Sequence, residues 1–264
     1  MRHSILLGAA EDGIVNHLVK STLKNIARNY GVHVRYMPRL LNKGPDYEVV
    51  LPNATYSPWN LDRGFNAAYS KVQDATLVDK YRCFELWRLV EQSAKLETGA
   101  LIEIGVWRGG TAALIAIQAR DLRLNDKTYA CDTFSGVVKA GEEDPCYNGG
   151  EHADTSRRLV EALFYDTLQL DNIEILGRIF PEETGGKVEN LKFRFCHIDV
   201  DVYLSTKDVT EWIWERLVPG GIVVYDDYGS DTTPGVARYV DTQLPLRDRT
   251  VLHNLNGHAI VIKR

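Results

Sequence analysis

The chain has 264 residues, of which 44% are hydrophobic, so it can bury the core of one large domain. With a formal charge of −5 and no long basic run, it lacks the surface that nucleic-acid binding needs, and no nucleic-acid partner is expected. No stretch reaches the roughly 18 apolar residues of a membrane span, and the apolar run near the first residues is too short for a secretory signal. The four cysteines are scattered without metal-site spacing, which favours a reduced, cytoplasmic protein without membrane contact.

The N-terminal part of the chain differs in pattern from the rest. Apolar residues at helical spacing predict a helix over about 11–30, with Gly31 as its stop. The stretch 32–66 carries four prolines and is predicted to be irregular, wrapping over a core rather than forming one. A second helix is predicted over about 76–95. We therefore predict an N-terminal extension over residues 1–75, which could form a substrate wall, a lid or a dimer contact, and a main domain over 76–264.

From Leu101 onward, apolar strands alternate with helical segments, a pattern typical of a parallel sheet covered by helices on both faces. The dipeptide Asn256-Gly257 between two apolar runs predicts a hairpin, so one strand near the end is antiparallel. The predicted fold class is a doubly wound α/β fold with a mostly parallel, seven-stranded sheet. The predicted strands lie near 100–104, 128–132, 173–176, 193–199, 221–226, 250–254 and 258–263, and the predicted helices near 111–121, 155–168, 205–217 and 234–243.

A glycine-rich turn follows the first predicted strand. Gly105 would let the chain turn sharply, while Gly109 and Gly110 would leave room for a ligand beside the backbone at a helix start. Their spacing is not the GxGxxG of a dinucleotide fold. Glu103, two positions before the first glycine, would repel a diphosphate but not the cationic amino-acid tail of S-adenosylmethionine. The turn therefore predicts S-adenosylmethionine rather than NAD.

The second predicted strand ends in an acid, Asp132. Ligands of open α/β sheets bind beyond the carboxyl ends of the strands, and an acid there can accept hydrogen bonds from both ribose hydroxyls. The alternative is that Asp132 caps a helix or forms a turn.

Two further strand ends carry clusters of acids. The fourth predicted strand ends in Asp199-Val200-Asp201 and the fifth in Asp226-Asp227. Carboxylates brought to one sheet edge raise one another's pKa unless a cation neutralises them, and a hard divalent ion does so with oxygen ligands. We predict that Asp199, Asp226 and Asp227 hold Mg²⁺ or another divalent cation. The alternative is that Asp201 and Asp226 cap the segments that follow and no metal binds.

This half of the chain also contains a strand histidine, a well-specified helix and a long polar loop. His197 is predicted to be a packed strand residue rather than a ligand. The helix after Asp201 is predicted to be capped by Ser205 or Thr206 and ended by residues 219–221. The polar loop 137–154 could be a mobile lid over the cofactor edge or merely a solvated loop, and its His152 is best suited to exchange protons near pH 7.

Four segments in this order resemble the macrocin O-methyltransferase family of class I S-adenosylmethionine-dependent enzymes. The resemblance covers about 76–238 and rests on residues 103–110, 132–136, 199–206, and 219–221 with 226–229. It implies a Rossmann-like methyltransferase sheet with strand order 3-2-1-4-5-7-6. It also implies methyl transfer from S-adenosylmethionine to a hydroxyl of a small molecule, a sugar or phenolic group of a natural product such as an antibiotic. From the family and the extension we also expect a homo-oligomer.

The resemblance implies specific site residues. Cofactor binding is implied for Glu103, Gly105, Trp107, Arg108, Gly109, Gly110, Thr111, Asp132, Thr133, Phe134 and Ser135, and, before the first strand, for Tyr69 and Thr76. The divalent metal, usually Mg²⁺, is assigned to Asp199, Asp226 and Asp227, with Asp199 also acting as the general base.

Other function classes remain open at this point. A metal-independent class I enzyme, such as an N-methyltransferase, would not need the acids, and neither would a non-catalytic protein that only binds the cofactor. A dehydrogenase is disfavoured because the dinucleotide glycine spacing is absent.

Overall fold

A computed structural model of the chain describes residues 46–48, 50 and 54–264. The helix predicted over 11–30 and most of the irregular stretch predicted over 32–66 lie outside these residues. Residues 54–264 form one compact unit. In this described part of the chain, none of the helices combines the length and apolarity that crossing a bilayer requires.

Strands and helices alternate through this unit in the predicted manner. The strands are β1 (Ala100–Ile104), β2 (Thr128–Asp132), β3 (Ile173–Gly177), β4 (Phe193–Ile198), β5 (Leu217–Tyr225), β6 (Arg249–His253) and β7 (Ala259–Lys263). The helices are α1 (Arg63–Val72), α2 (Lys80–Ser93), α3 (Gly110–Asp121), α4 (Arg157–Glu161), α5 (Tyr203–Arg216) and α6 (Pro234–Asp241).

The sheet has the order β3-β2-β1-β4-β5-β7-β6, which confirms the predicted Rossmann-like methyltransferase sheet. Neighbouring strands from β3 to β5 pair in parallel, and β7 pairs antiparallel with both β5 and β6. The predicted hairpin therefore exists, with Asn256-Gly257 between its strands. The mostly parallel architecture leaves both faces of the sheet to be covered by helices.

Alternate residues of each central strand face the two helical layers. Ile102 packs in the cluster that includes Val209 of α5, whereas its neighbour Leu101 packs with Leu86 of α2 and Ile115 of α3. All five residues of β1 are buried, as expected for a central strand covered on both faces.

The register of the central strands determines which residues meet at the carboxyl edge. Ile104 pairs with Cys131 of β2 and with Ile198 of β4, and Ile198 pairs with Tyr225 of β5. The next residue of each strand end therefore lies in one row along that edge. These next residues are Gly105, Asp132, Asp199 and Asp226.

Helix α1 begins inside the stretch predicted to be irregular, so that prediction is wrong for its last residues. A 3₁₀ turn covers Pro58–Asn60, and the Asp62 carboxylate then caps α1 by accepting the Phe65 N–H at 2.9 Å. Phe65, Ala68 and Val72 recur at helical spacing and are buried. Helix α2 likewise starts at Lys80 rather than near residue 76, because Asp79 caps it.

Helix α5 is not capped by Ser205 or Thr206, so that prediction is also wrong. The helix begins at Tyr203, whose N–H donates to the carboxylate of Asp144 at 2.9 Å, a cap supplied from another part of the chain. Ser205 instead donates its hydroxyl to the carbonyl of Val138, and Thr206 donates to the carbonyl four residues before it.

Two other element ends differ from prediction. Strand β5 starts at Leu217, so the predicted helix stop at 219–221 lies inside the strand, where Gly220 adopts a φ of +80°. The helix predicted over 155–168 is regular only over Arg157–Glu161 and widens into a π-helix over Ala162–Thr167.

Candidate active site

A cavity of about 330 Å³ opens at the carboxyl edge of the sheet. Its wall combines the turn after β1, the end of β2, loop 137–154 and the ends of β4 and β5. This is the position where open α/β sheets bind their ligands. The predicted site residues that line the cavity are Thr76, Gly105, Trp107, Thr111, Asp132, Thr133, Asp199, Asp226 and Asp227.

Asp132 holds the glycine turn together. One carboxylate oxygen accepts the backbone N–H groups of Val106 at 2.9 Å and Trp107 at 2.8 Å, and the other accepts that of Phe134 at 2.7 Å. Burial raises the pKa of Asp132, although these three hydrogen bonds oppose the rise. The observed contacts of Asp132 are those of a turn-forming residue. Asp132 also lines the cavity, and its binding of a ribose stays a prediction.

The three glycines of the turn meet protein rather than open space. A Cβ at Gly105 would lie 1.7 Å from the carbonyl oxygen of Asp199, and this residue has a φ of +86°. A Cβ at Gly109 would lie 2.8 Å from the Phe164 ring, and one at Gly110 would lie 2.6 Å from the Ala75 carbonyl oxygen. Gly109 and Gly110 are outside the cavity wall. These two glycines make room for neighbouring parts of the chain, and their role in cofactor binding stays a prediction.

Glu103 lies beneath the turn, not in the cavity wall. Its side chain is fully buried, and one oxygen accepts the Thr111 hydroxyl at 2.5 Å, while the other has no hydrogen-bond partner within the described part of the chain. The His197 ring nitrogen Nδ1 is 3.6 Å from the first oxygen. The Glu103 carboxylate therefore does not line the cavity, and its role in cofactor binding stays a prediction.

Trp107 and Arg108 connect the turn to Asp154, the last residue of loop 137–154. The Trp107 indole donates to the Asp154 carboxylate at 2.8 Å, and Arg108 pairs with the same carboxylate at 2.6 Å. The Arg108 guanidinium also lies 4.3 Å above the Trp107 ring. Of the other predicted cofactor residues, Arg108, Tyr69, Phe134 and Ser135 are not part of the cavity wall.

The structure brings the predicted acids together. Oxygen atoms of Asp199, Asp226 and Asp227 lie within 4.8 Å of one another. Burial and then the charges of Asp226 and Asp227 raise the pKa of Asp199 well above its ordinary value. Burial, followed by Asp201 and Asp226, does the same to the pKa of Asp227. Asp226 differs: burial would raise its pKa, but His197, His258 and Arg82 outweigh burial and hold it well below the usual range.

This donor set fits a divalent cation. Among the residues that the structure describes, neither Asp199 nor Asp227 has an ion-pair partner within 4.0 Å. Three carboxylates around one point form the all-oxygen set that Mg²⁺ and Ca²⁺ prefer. A cation there would relieve the mutual repulsion that raises the pKa values of Asp199 and Asp227.

Arg82 and Tyr147 are wall residues that sequence reasoning missed. Arg82 of α2 forms an ion pair with Asp226, which lies 144 positions away, so no local pattern could have indicated it. The Tyr147 hydroxyl donates to Asp201 at 2.7 Å. Tyr147 is the one large aromatic side chain in the polar loop 137–154, and this unusual position could have marked it as a candidate site residue. His152, singled out from sequence, also lines the cavity.

Loop 137–154 is attached to helix α5 at several points. Asp144 is buried, and besides capping α5 it accepts the N–H of Gly141 at 3.1 Å. The Val138 carbonyl accepts the Ser205 hydroxyl at 3.0 Å, and Lys139 pairs with Asp208 at 2.7 Å. The loop is therefore not merely solvated; its opening as a lid remains a prediction.

Comparison with known families identifies the fold family. The profile described as Macrocin-O-methyltransferase (TylF) matches residues 62–248. The chain belongs to the macrocin O-methyltransferase family. This confirms the resemblance, and the matched region starts at Asp62, the cap of α1, so it includes α1.

Two curated proteins are moderately similar to the chain. Mycinamicin III 3''-O-methyltransferase from Micromonospora griseorubida is 30% identical over 168 residues, 58% of this chain and 65% of the relative. The 8-demethyl-8-(2,3-dimethoxy-alpha-L-rhamnosyl)-tetracenomycin-C 4'-O-methyltransferase from Streptomyces olivaceus is 27% identical over 143 residues, 50% of this chain and 54% of the relative. The chain thus spans between about half and two thirds of the length of these relatives.

Solved structures share the fold. The O-methyltransferase NovP superposes with a TM-score of 0.61 at 23% identity, covering 72% of this chain and 82% of NovP. The calicheamicin methyltransferase CalS11 superposes with a TM-score of 0.57 at 16% identity, covering 79% and 94% of the two chains. At these identities the superpositions show a shared fold.

Proposed function

We propose that this protein transfers a methyl group from S-adenosylmethionine to a hydroxyl oxygen of a small molecule, a sugar hydroxyl of a natural product. One observation carries the proposal: a single cavity has the turn after β1 on one side and the carboxylates of Asp199, Asp226 and Asp227 on the other. Membership in the macrocin O-methyltransferase family supports the reaction class. The two relatives named above are both O-methyltransferases, and the rhamnosyl group in the name of the tetracenomycin relative's substrate supports the acceptor class.

The cofactor half of the proposed site follows the turn and the end of β2. Thr76, Thr111 and Thr133 line this part of the cavity and make its wall partly polar, as the polar groups of S-adenosylmethionine require. Asp132 would accept a ribose hydroxyl at the oxygen that makes only one backbone hydrogen bond. Glu103 supports this half from beneath, through Thr111.

The acceptor half would be formed by the three acids. Asp199, Asp226 and Asp227 would hold a divalent cation, which when bound lowers the pKa of a hydroxyl that coordinates it. Asp199 would take the hydroxyl proton. A carboxylate that lies beside the coordinated hydroxyl is placed to accept its proton as the general base.

The remaining task is positioning. Methyl transfer requires the acceptor oxygen, the methyl carbon and the sulfur in line, so most of the rate gain comes from holding the two molecules in one geometry. Tyr147 and His152 reach the cavity from the loop that α5 anchors. They would cover the reacting groups and limit the access of water.

The test uses the full chain. Thermal shift and calorimetry with S-adenosylhomocysteine measure cofactor binding, and transfer of labelled methyl groups to a set of natural-product glycosides measures the reaction. The proposal predicts binding, transfer to a glycoside hydroxyl, loss of transfer with EDTA, and its recovery with Mg²⁺. Binding without transfer to any hydroxyl or amine would favour a non-catalytic protein. Transfer that survives EDTA would favour a metal-independent enzyme, and absence of binding would overturn the proposal.

A further inference from the structure

Asp226 is held at both of its carboxylate oxygens. One oxygen forms an ion pair with Arg82 of α2. The other lies 2.8 Å from Nε2 of His258, the residue immediately before β7. Asp226 is 5% exposed and His258 is fully buried, so water does not compete for these contacts. Neither of the two groups that hold Asp226 was indicated by the strand-end pattern.

His258 is itself fixed from its other side. Its Nδ1 lies 2.6 Å from a carboxylate oxygen of Glu85. Glu85 also accepts the side-chain amides of Asn254 and of Asn256, the latter at 3.0 Å, so the hairpin between β6 and β7 fixes the acid. The His258 ring therefore lies between two carboxylates, with one ring nitrogen within hydrogen-bond distance of Glu85 and the other within hydrogen-bond distance of Asp226.

The other histidine beside Asp226 is a weaker partner. His197 Nε2 is 3.5 Å from the same Asp226 oxygen, and its Nδ1 is 3.6 Å from Glu103. Both distances are too long for good hydrogen bonds, and neither ring nitrogen has a hydrogen-bond partner among the residues that the structure describes. The short contacts run through His258 and Glu85.

Helix α2 supplies the supporting groups. Arg82 and Glu85 are three positions apart, so they lie on the same face of the helix. Arg82 contacts Asp226 directly, and Glu85 contacts it through His258. With both oxygens engaged, the Asp226 carboxylate cannot turn away from Asp199 and Asp227 without breaking at least one of these contacts.

We propose that Glu85 and His258 are positioning residues that hold the Asp226 carboxylate in place for a divalent cation shared with Asp199 and Asp227. The inference rests on the proposed function, because it assigns a role to residues around the proposed cation site. Hydrogen-bonding partners of metal ligands matter in general: their removal typically weakens metal affinity by about 10- to 100-fold.

The test measures Mn²⁺ affinity of the full chain by the electron paramagnetic resonance signal of free Mn²⁺, with and without S-adenosylhomocysteine. The variants are His258→Gln, Glu85→Ala and Glu85→Gln. The matched controls are Glu91→Gln on the same helix and His253→Gln on the neighbouring strand. We expect Mn²⁺ affinity to fall by about 10- to 100-fold in His258→Gln and Glu85→Ala, and by less in Glu85→Gln, which keeps an acceptor for the imidazole. Affinity for S-adenosylhomocysteine is expected to stay within about twofold of the parent protein, because neither residue lies in the cofactor half.

The outcomes separate the inference from the proposed function. Should His258→Gln fail to fold, the two Glu85 variants decide. Mn²⁺ affinity equal to that of the parent protein in all folded variants would overturn the positioning role, as would a parent protein that binds no Mn²⁺. Absence of S-adenosylhomocysteine binding would overturn the proposed function, yet the Mn²⁺ series measured without it would still judge Glu85 and His258.

Discussion

The carbonyl oxygen of Asp199 lies against the α-carbon of Gly105, so close that a Cβ added to Gly105 would be 1.7 Å from it. The N–H of Asp199 also donates to the carbonyl of Ile104 at 2.9 Å. The backbone after β1 and the backbone after β4 therefore form one continuous surface. Because of this contact, the turn proposed for the cofactor and the acid proposed as the base cannot move independently.

Replacing Gly105 with alanine is expected to disrupt the protein. The new Cβ meets a backbone oxygen at a position with a φ of +86°, so strain adds to the clash. We expect a loss of about 3 kcal/mol or more in the free energy of unfolding, measured by urea denaturation. Gly186→Ala is the matched control, because no atom of the described residues lies within 4 Å of a Cβ placed there. A Gly105→Ala protein as stable as this control would contradict the close contact.

Asp199→Asn is expected to abolish turnover but not folding. Loss of the proposed base should lower the rate of methyl transfer by about 100-fold or more. Without added divalent cations the variant should be more stable than the parent protein, because a buried carboxylate repelled by Asp226 and Asp227 has been removed. Methyl-transfer assays and thermal melts check both effects, with the exposed Asp121→Asn as the control. Unchanged turnover would exclude Asp199 as the base.

Asp144→Ala is expected to destabilise helix α5. The substitution leaves the N–H groups of Tyr203 and Gly141 without an acceptor, and loss of a helix cap costs about 1–2 kcal/mol. Asp144→Asn keeps a carbonyl acceptor and should recover most of that stability. Glu142→Ala, an exposed neighbour in the same loop, serves as the reference in urea denaturation. Equal stability of Asp144→Ala and Glu142→Ala would show that the cap is not made in solution.

His197 is expected to make stability depend on pH in the alkaline range. Burial alone would lower its pKa, but the carboxylates of Asp226 and Glu103 outweigh burial and raise it to about 9. A raised histidine pKa contributes stability that is complete below the unfolded value of about 6.5 and is lost as pH rises through about 9.

The measurement compares the parent protein with His197→Gln by urea denaturation from about pH 6 to about pH 10, without divalent cations. Because other groups titrate equally in both proteins, the difference between the two curves isolates His197. We expect the stability difference to shrink as pH rises. Two parallel curves would contradict the charge assigned to His197.

The strands and their ends were predictable because each is a short apolar run followed by turn-forming or acidic residues. The register then aligned Gly105, Asp132, Asp199 and Asp226 without further information. The side of the sheet that the Glu103 side chain faces could also be predicted from the alternation of side chains along β1. Since Ile102 and Ile104 pack on the α5 side of the sheet, the residue between them must face α2 and α3, where Thr111 lies, rather than the carboxyl edge.

What could not be predicted depends on contacts between distant parts of the chain. The cap of α5 comes from Asp144, 59 positions before Tyr203, whereas the local pattern offered Ser205 and Thr206. From sequence, Gly109 and Gly110 were expected to leave room for a ligand. Their packing against Phe164 and Ala75 could not be predicted, because these two residues are distant in sequence and follow no recognisable pattern. Such positions require the packed structure.

The contacts of Asp226 reach 144 positions back to Arg82 and 32 positions forward to His258. That constellation exists only once α2, the sheet centre and the final hairpin have all come together. A cation would bind to this constellation in the native state but not in partly folded forms. Its binding would therefore stabilise the native state alone. Interactions that form after the folding transition state slow unfolding without accelerating folding. The proposed cation would thus lower the unfolding rate and lengthen the lifetime of the folded enzyme.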